Sequence, residues 1–428
     1  MKKACVEIAL LAVLSGGVAS AATGVDQSVP GAGNSEAAHL AASSALVTSA
    51  QRLLAAQTAK IGDKAVAAAV RALVTDRDVC IKHRAGETPE QKQKVIAALT
   101  AAGLLVPDAA TFPGGVLAGV LPPVLEAGSA CPHMPQPFSA APGGGFGGHH
   151  SYPGGLAVHT AFNDLLSVSL AADYRRIYGH AGPGGLPVVG DGPKADVDID
   201  EDVVLAAPLI HDWAKALVFQ WNADGTEFTE ISFGGNGTTD NYGAPGDSRT
   251  GAHHIIGLAE SMARDLPPRL VVAQASAHST ATVGGEFRIV NWLRAAAIMA
   301  GVDPVAKHYL REDAAHHLRL PALQRLGDVD LNAFVPSAPN SLFEYQIHYL
   351  SDADHVQTGA ALMAAEHLLA KLAPGFGFDP AETLRYNTKY RNPALSHLSA
   401  ERLYLLYSSG GLEAVKGQLA KLRAKGLI

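Results

Sequence analysis

The sequence predicts an all-α fold: a helical bundle with a small β-hairpin insertion and extra helices at its N- and C-terminal ends. Long segments rich in Ala and Leu repeat their apolar residues at a spacing near 3.6, which is the period of an α-helix. Alternation typical of strands is confined to one stretch, residues 216–233. With 428 residues, 48% of them hydrophobic and 17% charged, the chain can bury one large core or two modest ones.

The N-terminal residues have the pattern of an export signal. A basic start precedes an apolar run over residues 8–14, and residues 19–21 (Ala-Ser-Ala) have the small-x-small form of a signal-peptidase site. Residues 1–21 are therefore predicted to be a signal peptide, and the mature protein is expected to be exported, with the periplasm as its compartment. An uncleaved N-terminal anchor is the alternative. No other stretch has the length and apolarity of a membrane span.

The cysteine usage agrees with export. Cys5 would leave with the signal peptide, so the mature chain keeps Cys80 and Cys131 as an even pair. Such a pair forms a disulfide in an oxidising compartment, and a Cys80–Cys131 bridge is predicted. Zinc binding by the two cysteines is the alternative.

The segment 22–140 is predicted to be helical. Residues 36–74 carry Ala and Leu at helical spacing. Further along, Thr88 is a suitable N-cap and Pro89 occupies the first helical position of another helix. The pattern does not indicate what this segment does.

A hairpin and C-terminal helices complete the expected fold. Residues 222–225 (Asn-Ala-Asp-Gly) lie between aromatic and β-branched runs, which predicts a β-hairpin turn. Residues 141–360 are expected to form the main domain. The chain then returns to helices over residues 361–428, which are expected to pack on the same core.

Two apolar helices carry polar side chains that need partners. A helix from about residue 155 directs His159 toward the core, where a lone histidine is most often a residue satisfied by a hydrogen bond. The stretch "VVLAAPLIHDWAKAL" adds His211, Asp212 and Lys215 to a second helix. Burying these charges together is costly unless they pair or bind an ion. Neutral imidazoles and a carboxylate are ligands that a first-row divalent cation accepts.

Two further helices add His253 or His254, and then His278. The ordered set of H, then HD with a lysine three residues on, then two more histidines, resembles the HD-superfamily metal-dependent phosphohydrolases. The segment "HHSYPGGLAVHT" is similar to the branch of that superfamily in which an "HH-x-Y-x-GGL-x-x-HT" segment begins the domain. The resemblance covers roughly residues 149–360.

The resemblance implies two divalent transition-metal ions, of manganese, iron, zinc or nickel, with Asp212 bridging them. The implied ligands are His159, His211, Asp212, His253, His278 and Asp352. His253 matches better than His254 because its spacing to Gly257 is H-x-x-x-G.

The final aspartate ligand is the least determined position of the set. Asp352 follows His348 by one helical turn and is preferred, with Asp354 as the alternative. Asp303 directly precedes a proline and is interpreted as a helix cap.

The resemblance further implies hydrolysis of a phosphomonoester or phosphodiester, such as a nucleotide, by a metal-activated water. Asp212 and Lys215 are the expected catalytic residues, with Lys215 neutralising charge on the phosphoryl oxygens. An HD-type di-iron oxygenase and a non-catalytic metal-binding scaffold are the alternatives. The net charge of −7 disfavours bulk nucleic acid as a partner but permits a small phosphorylated substrate.

Four further side chains have two interpretations each. The histidines His149 and His150 either line the entrance of the site or belong to a solvated glycine-rich loop. The arginines Arg249 and Arg288 either pair with a phosphate or are surface charges. The sequence does not indicate an oligomeric state.

Overall fold

The computed structural model describes residues 31–76, 78–106, 115–190, 196–227, 229–235, 247–281, 283–321 and 342–428. These residues are mostly helical, as predicted. The predicted signal peptide lies outside them, so its cleavage and export of the chain stay predictions. Within the described ranges, no helix combines the length and the apolarity needed to cross a membrane.

The α-helices of these ranges are numbered in chain order. They are α1 (Asn34–Ser43), α2 (Ala45–Thr58), α3 (Lys64–Val74), α4 (Pro89–Ala101), α5 (Gly115–Val120), α6 (Gly155–Tyr178), α7 (Glu201–Ile210), α8 (Lys215–Val218), α9 (Ala252–Ala263), α10 (Pro268–Ala275), α11 (Val283–Ala300), α12 (Phe343–Asp352), α13 (His355–Leu372), α14 (Thr383–Tyr386), α15 (Asn392–Leu398) and α16 (Ala400–Ala424). Helix α16 has a kink at Gly411, where φ is +65°.

Two small antiparallel sheets accompany the helices. They consist of the pairs β1 (Ser232–Phe233) with β2 (Thr250–Gly251), and β3 (Arg311–Glu312) with β4 (Leu318–Arg319). In the first sheet Ser232 lies opposite Gly251, which places β1 beside the start of α9.

The predicted hairpin is present as a turn with a short antiparallel contact. The amide of Gly225 donates to the carbonyl of Asn222 at 3.1 Å, and among the described residues one bridge, between Trp221 and Glu227, extends the turn. Tertiary contacts hold it in place. The side chain of Asn392 donates to the Gly225 carbonyl at 2.8 Å, so the turn docks on the C-terminal helices.

Capping residues divide the N-terminal segment into separate helices. Ser44 interrupts the apolar pattern and caps α2 by accepting from the amide of Val47. Asp63 caps α3 in the same way. Thr88 forms the predicted N-cap of α4 and completes a capping box with Gln91.

Most of the apolar side chains join one large buried cluster. It unites α2 and α3 with α6, α7 and α9 to α11. A second cluster consists of side chains from α13 to α16 together with Tyr152, which is fully buried and precedes α6.

The predicted Cys80–Cys131 disulfide is present, with 4.7 Å between the two Cα atoms. The bridge belongs to a segment held against α9. The guanidinium of Arg264 donates to the Cys80 carbonyl at 2.7 Å. The buried carboxylate of Glu260 accepts from the amides of Lys82 and His83. The disulfide thus joins two parts of the N-terminal segment, and the hydrogen bonds of Arg264 and Glu260 hold that segment against the helix that carries His253.

Candidate metal centre

Six side chains, five of them buried, meet between α6, α7, α9, α10 and α12. His159 lies on α6, His211 and Asp212 follow α7, His253 begins α9, His278 follows α10, and Asp352 ends α12. All but His278 are nearly inaccessible to solvent, and the side chain of His278 is 22% exposed. The structure therefore brings together every residue that the resemblance implied as a ligand.

Four of these side chains surround a first position. The Nε2 atoms of His159 and His211 lie 3.4 Å apart, and Asp352 Oδ1 lies 3.3 Å from the first and 3.2 Å from the second. Asp212 Oδ2 is 3.2 Å from both nitrogens. Donor atoms that share one ion at about 2.1 Å are about 3.0–3.4 Å apart in octahedral or tetrahedral geometry. The four atoms have the spacing of ligands around one cation.

The other carboxylate oxygen of Asp212 faces a second position. Asp212 Oδ1 lies 3.3 Å from Nε2 of His253. His278 completes this group, whose ligand atoms all lie within 4.8 Å of one another. Because one carboxylate oxygen of Asp212 faces each group, this residue has the geometry of a bridging ligand.

The end of α7 explains how His211 is held. Pro208 has no amide hydrogen, so the carbonyl of Val204 accepts from the hydroxyl of Ser167 at 3.0 Å instead. The helix ends two residues later, and Nδ1 of His211 donates to the carbonyl of Pro208 at 2.8 Å. This bond fixes the tautomer that leaves the lone pair of Nε2 directed at the first position.

Glu230 performs the same role for His253. Its Oε2 atom accepts from Nδ1 of His253 at 2.8 Å and from the His253 backbone amide at 3.2 Å. A carboxylate behind a histidine orients the ring and increases the basicity of the opposite nitrogen. Glu230 was not predicted from the sequence, because no spacing rule relates a residue beside a short strand to a ligand 23 positions later.

We expect the Glu230→Gln substitution to weaken ion binding at the second position by roughly 10–100-fold, because the amide orients the imidazole less firmly than a carboxylate. Titration with Mn²⁺ should then show one affinity lowered and the other retained. The matched control is Glu413→Gln, at a side chain that is 81% exposed on α16. Equal weakening of both affinities in Glu230→Gln would contradict the assignment of Glu230 to one position.

Two polar side chains orient Asp352. The amide of Asn163 donates to Asp352 Oδ1 at 2.9 Å and accepts from the hydroxyl of Ser351 at 2.7 Å. The two alternative aspartates lie outside this arrangement. Asp354 is partly exposed, and Asp303 caps a turn by accepting from two following amides. The geometry therefore favours Asp352 as the final carboxylate.

His254 occupies a different environment from His253. Its ring stacks on His278 with 4.2 Å between centroids and contacts the ring of Trp292 at 4.9 Å. Burial is the main reason that the pKa of His254 lies well below the usual value. These aromatic contacts favour His253 over His254 as the ligand.

The charges at the centre are balanced by protons and one lysine. Burial alone would lower the pKa of His211, but the carboxylates of Asp212 and Asp352 raise it to about 10. Burial opposes ionisation of both carboxylates, yet their pKa values lie well below the usual range, chiefly because His211 is adjacent. Burial lowers the pKa of His278 to about 3. A bound cation would replace the positive charge that protons supply here.

Lys215 is buried with its amine at the centre. Its Nζ atom lies 2.5 Å from Asp212 Oδ2 and donates to the carbonyl of Gly143 at 2.5 Å. The two arginines considered with it are not part of the site. Arg249 is exposed and pairs with Asp247, and Arg288 is exposed beside Phe287.

The two loop histidines approach the first position. The ring centroids of His149 and His150 lie 4.8 Å and 5.3 Å from that of His159. His150 is only 2% exposed. Both therefore line the entrance to the centre instead of belonging to a solvated loop.

The donor set fits a pair of first-row divalent ions. Imidazole nitrogens and carboxylate oxygens are the ligands such ions prefer. Asp212 Oδ1 and His253 Nε2 are buried and make no well-formed hydrogen bond within the described part of the chain.

Comparison of the chain with models of known families, with curated proteins and with solved structures gives no match. A function for this chain can therefore be inferred only from its sequence pattern and the geometry of the site.

Proposed function

We propose that this chain is an HD-type phosphohydrolase that uses two divalent transition-metal ions to hydrolyse a phosphomonoester or phosphodiester, such as a nucleotide. The observation that carries the proposal is the position of Asp212. One of its oxygens faces each group of histidines, and the amine of Lys215 lies beside it. The sequence order of these residues supports the HD assignment.

The protein's part in the reaction is to hold charges in place. When bound, the ions would supply Lewis acidity that polarises a phosphoryl oxygen and lowers the pKa of a coordinated water. Asp212 holds the two positions at a fixed separation. Pro208 and Glu230 fix the rings of His211 and His253 before any substrate arrives, so little reorganisation is needed during reaction.

Lys215 gives the centre its preference for an anionic substrate. The lysine is 3% exposed and faces a carboxylate that the ions would neutralise. Its ammonium group is then available to a phosphoryl oxygen, where it offsets charge that increases in the transition state. This residue favours phosphoester hydrolysis over oxygen activation on the same ligands.

The direct test combines elemental analysis of the purified protein with hydrolysis of an aryl phosphodiester, with and without added manganese. About two ions per chain and manganese-dependent hydrolysis are expected. Two irons with oxygen consumption would support the oxygenase instead. Bound metal with no turnover of any phosphoester would leave only a binding scaffold.

We expect the Lys215→Met substitution to lower kcat by roughly 10²–10³-fold and to leave the bound metal unchanged, because methionine keeps the apolar stem but removes the charge. Steady-state kinetics and elemental analysis of the same preparation measure both effects. The matched control is Lys416→Met on α16, a lysine whose side chain is 55% exposed. An unchanged kcat in Lys215→Met would show that Lys215 has no part in catalysis.

A further inference from the structure

The segment that carries the disulfide contains a histidine whose ring faces one of the two sulfur atoms. Nε2 of His133 lies 3.3 Å from Sγ of Cys131. On the other side of the ring, Nδ1 donates to a carboxylate oxygen of Glu126 at 2.9 Å. A carboxylate in this position fixes the tautomer of a histidine and increases the basicity of its other nitrogen. The lone pair of Nε2 is therefore directed at the sulfur.

The oxidised bridge does not explain this contact. A disulfide sulfur has no hydrogen to donate, and Nε2 of a neutral ring that donates from Nδ1 has none either. The contact becomes favourable when Cys131 is a thiol that donates to Nε2, or when a cation lies between its thiolate and the imidazole. The position of His133 thus matches the reduced form of the cysteine pair.

Reduction would leave three possible ligand atoms close together. The ligand atoms of Cys80, Cys131 and His133 all lie within 4.8 Å of one another. In a tetrahedral zinc site, a sulfur and a nitrogen are about 3.6 Å apart and two sulfurs are about 3.8 Å apart. The contact between Cys131 and His133 is already near the first value, and rotation of the cysteine side chains would give the second. All three residues are partly exposed, so an ion can reach them from solvent.

Backbone hydrogen bonds hold the two cysteine segments together independently of the disulfide. The amide of Ile81 donates to the carbonyl of Pro132 at 2.8 Å. Leu125 and His133 exchange two backbone hydrogen bonds, of 2.9 Å and 3.1 Å. Because these bonds do not depend on the S–S bond, the ligand atoms should stay close together after reduction. Little ordering would then be needed to bind an ion.

We propose that Cys80, Cys131 and His133 form a redox-controlled zinc site, which has no ligand in common with the centre around Asp212. Reduction by a dithiol transfers two electrons and two protons to the bridge, which leaves two thiols here and a disulfide in the reductant. Zn²⁺ then displaces the two thiol protons and is bound by two thiolates and Nε2 of His133, with water as the fourth ligand. The inference goes beyond the proposed hydrolysis and does not depend on it.

The test is binding of Co²⁺, as a substitute for zinc, by the folded chain after reduction with a water-soluble phosphine. The phosphine takes oxygen from water to become its oxide, and the hydrogens of that water go to the two sulfurs. A thiolate bound to Co²⁺ gives charge-transfer absorption in the near ultraviolet, whereas the ligands around Asp212 are nitrogen and oxygen. Every preparation carries Cys5→Ser, which leaves Cys80 and Cys131 as the only cysteines. The absorption should be present in the reduced chain and absent from the oxidised chain.

Two variants test the ligand set. His133→Ala is expected to weaken Co²⁺ binding by at least about 100-fold, and Glu126→Gln by roughly 10–100-fold, because the first removes a ligand and the second removes the carboxylate that orients it. The matched control is His316→Ala, at a side chain that is 88% exposed and whose Nδ1 also faces a carboxylate, that of Glu312 at 3.4 Å. This control should bind Co²⁺ as wild type does. Thermal unfolding of each variant checks that it is folded.

Three results would overturn the zinc site. They are a folded chain in which the phosphine releases no thiols, a reduced chain without thiolate absorption, and equal Co²⁺ affinities in His133→Ala and wild type. The Asp212→Ala variant separates this site from the hydrolytic proposal, because it should lose the central ions and keep the thiolate absorption. Thiolate absorption without phosphoester hydrolysis by the wild-type chain would contradict the proposed function alone.

Discussion

Replacing Asp212 with Ala is expected to remove both central ions at once. The carboxylate contributes one oxygen to each group of histidines, at 3.2 Å and 3.3 Å from the nearest nitrogens. Losing a residue that only orients a ligand costs roughly 10–100-fold in metal affinity, so losing a shared ligand should cost at least about 100-fold at each position. Elemental analysis should find the central ions absent, and phosphoester hydrolysis should fall to the background rate.

Two further variants test the assignment of the central metal ligands. His211→Ala should empty the first position, since this ring contacts both Asp212 and Asp352. Asp303→Ala changes only a turn cap and should keep every ion. Full metal occupancy in both Asp212→Ala and His211→Ala would mean that the buried histidines are core residues and not metal ligands. It would contradict the proposed phosphohydrolase function.

The second large effect is expected from Gly155→Ala, at the first residue of α6. A Cβ atom there would lie 1.9 Å from the carbonyl oxygen of His150 and 3.2 Å from the amide nitrogen of Gly143. Backbone cannot move aside as a flexible side chain can, so the free energy of unfolding should fall by about 3 kcal/mol. Thermal unfolding should show a melting temperature lower by roughly 3–4 °C.

Gly359→Ala is the control for this substitution. Gly359 lies inside α13, where an added Cβ meets nothing within 4 Å. Alanine is a better helix former, so this variant should gain about 0.5–1 kcal/mol. If Gly155→Ala unfolds at the same temperature as wild type, the loop that contains Gly143 and His150 does not pack closely against α6.

The sequence predicted the helical class and the identity of the central side chains because both depend on local pattern. The helical period directs His159 inward from α6, and the adjacent His211 and Asp212 mark an apolar helix with charges that need partners. The disulfide was predicted from the number of cysteines, because removal of the predicted signal peptide would leave two.

The supporting residues could not be predicted in the same way. Asn163 bonds to a carboxylate 189 positions away, and Glu401 approaches a loop from the far end of the chain. Neither contact leaves a periodic signal. The docking of the turn at residues 222–225 is a similar case, because Asn392 bonds to the Gly225 carbonyl from 167 positions away. Contacts that depend on how distant helices dock become visible only in the folded chain.

The proline inside α7 has a consequence for how such a centre could arise. Pro208 has no amide hydrogen, and Ser167 of α6 satisfies the Val204 carbonyl that is left without a donor. The carbonyl of Pro208 in turn accepts from Nδ1 of His211. One proline thus links α6, α7 and the His211 ring through side-chain hydrogen bonds, so the position of this histidine depends on how two helices pack.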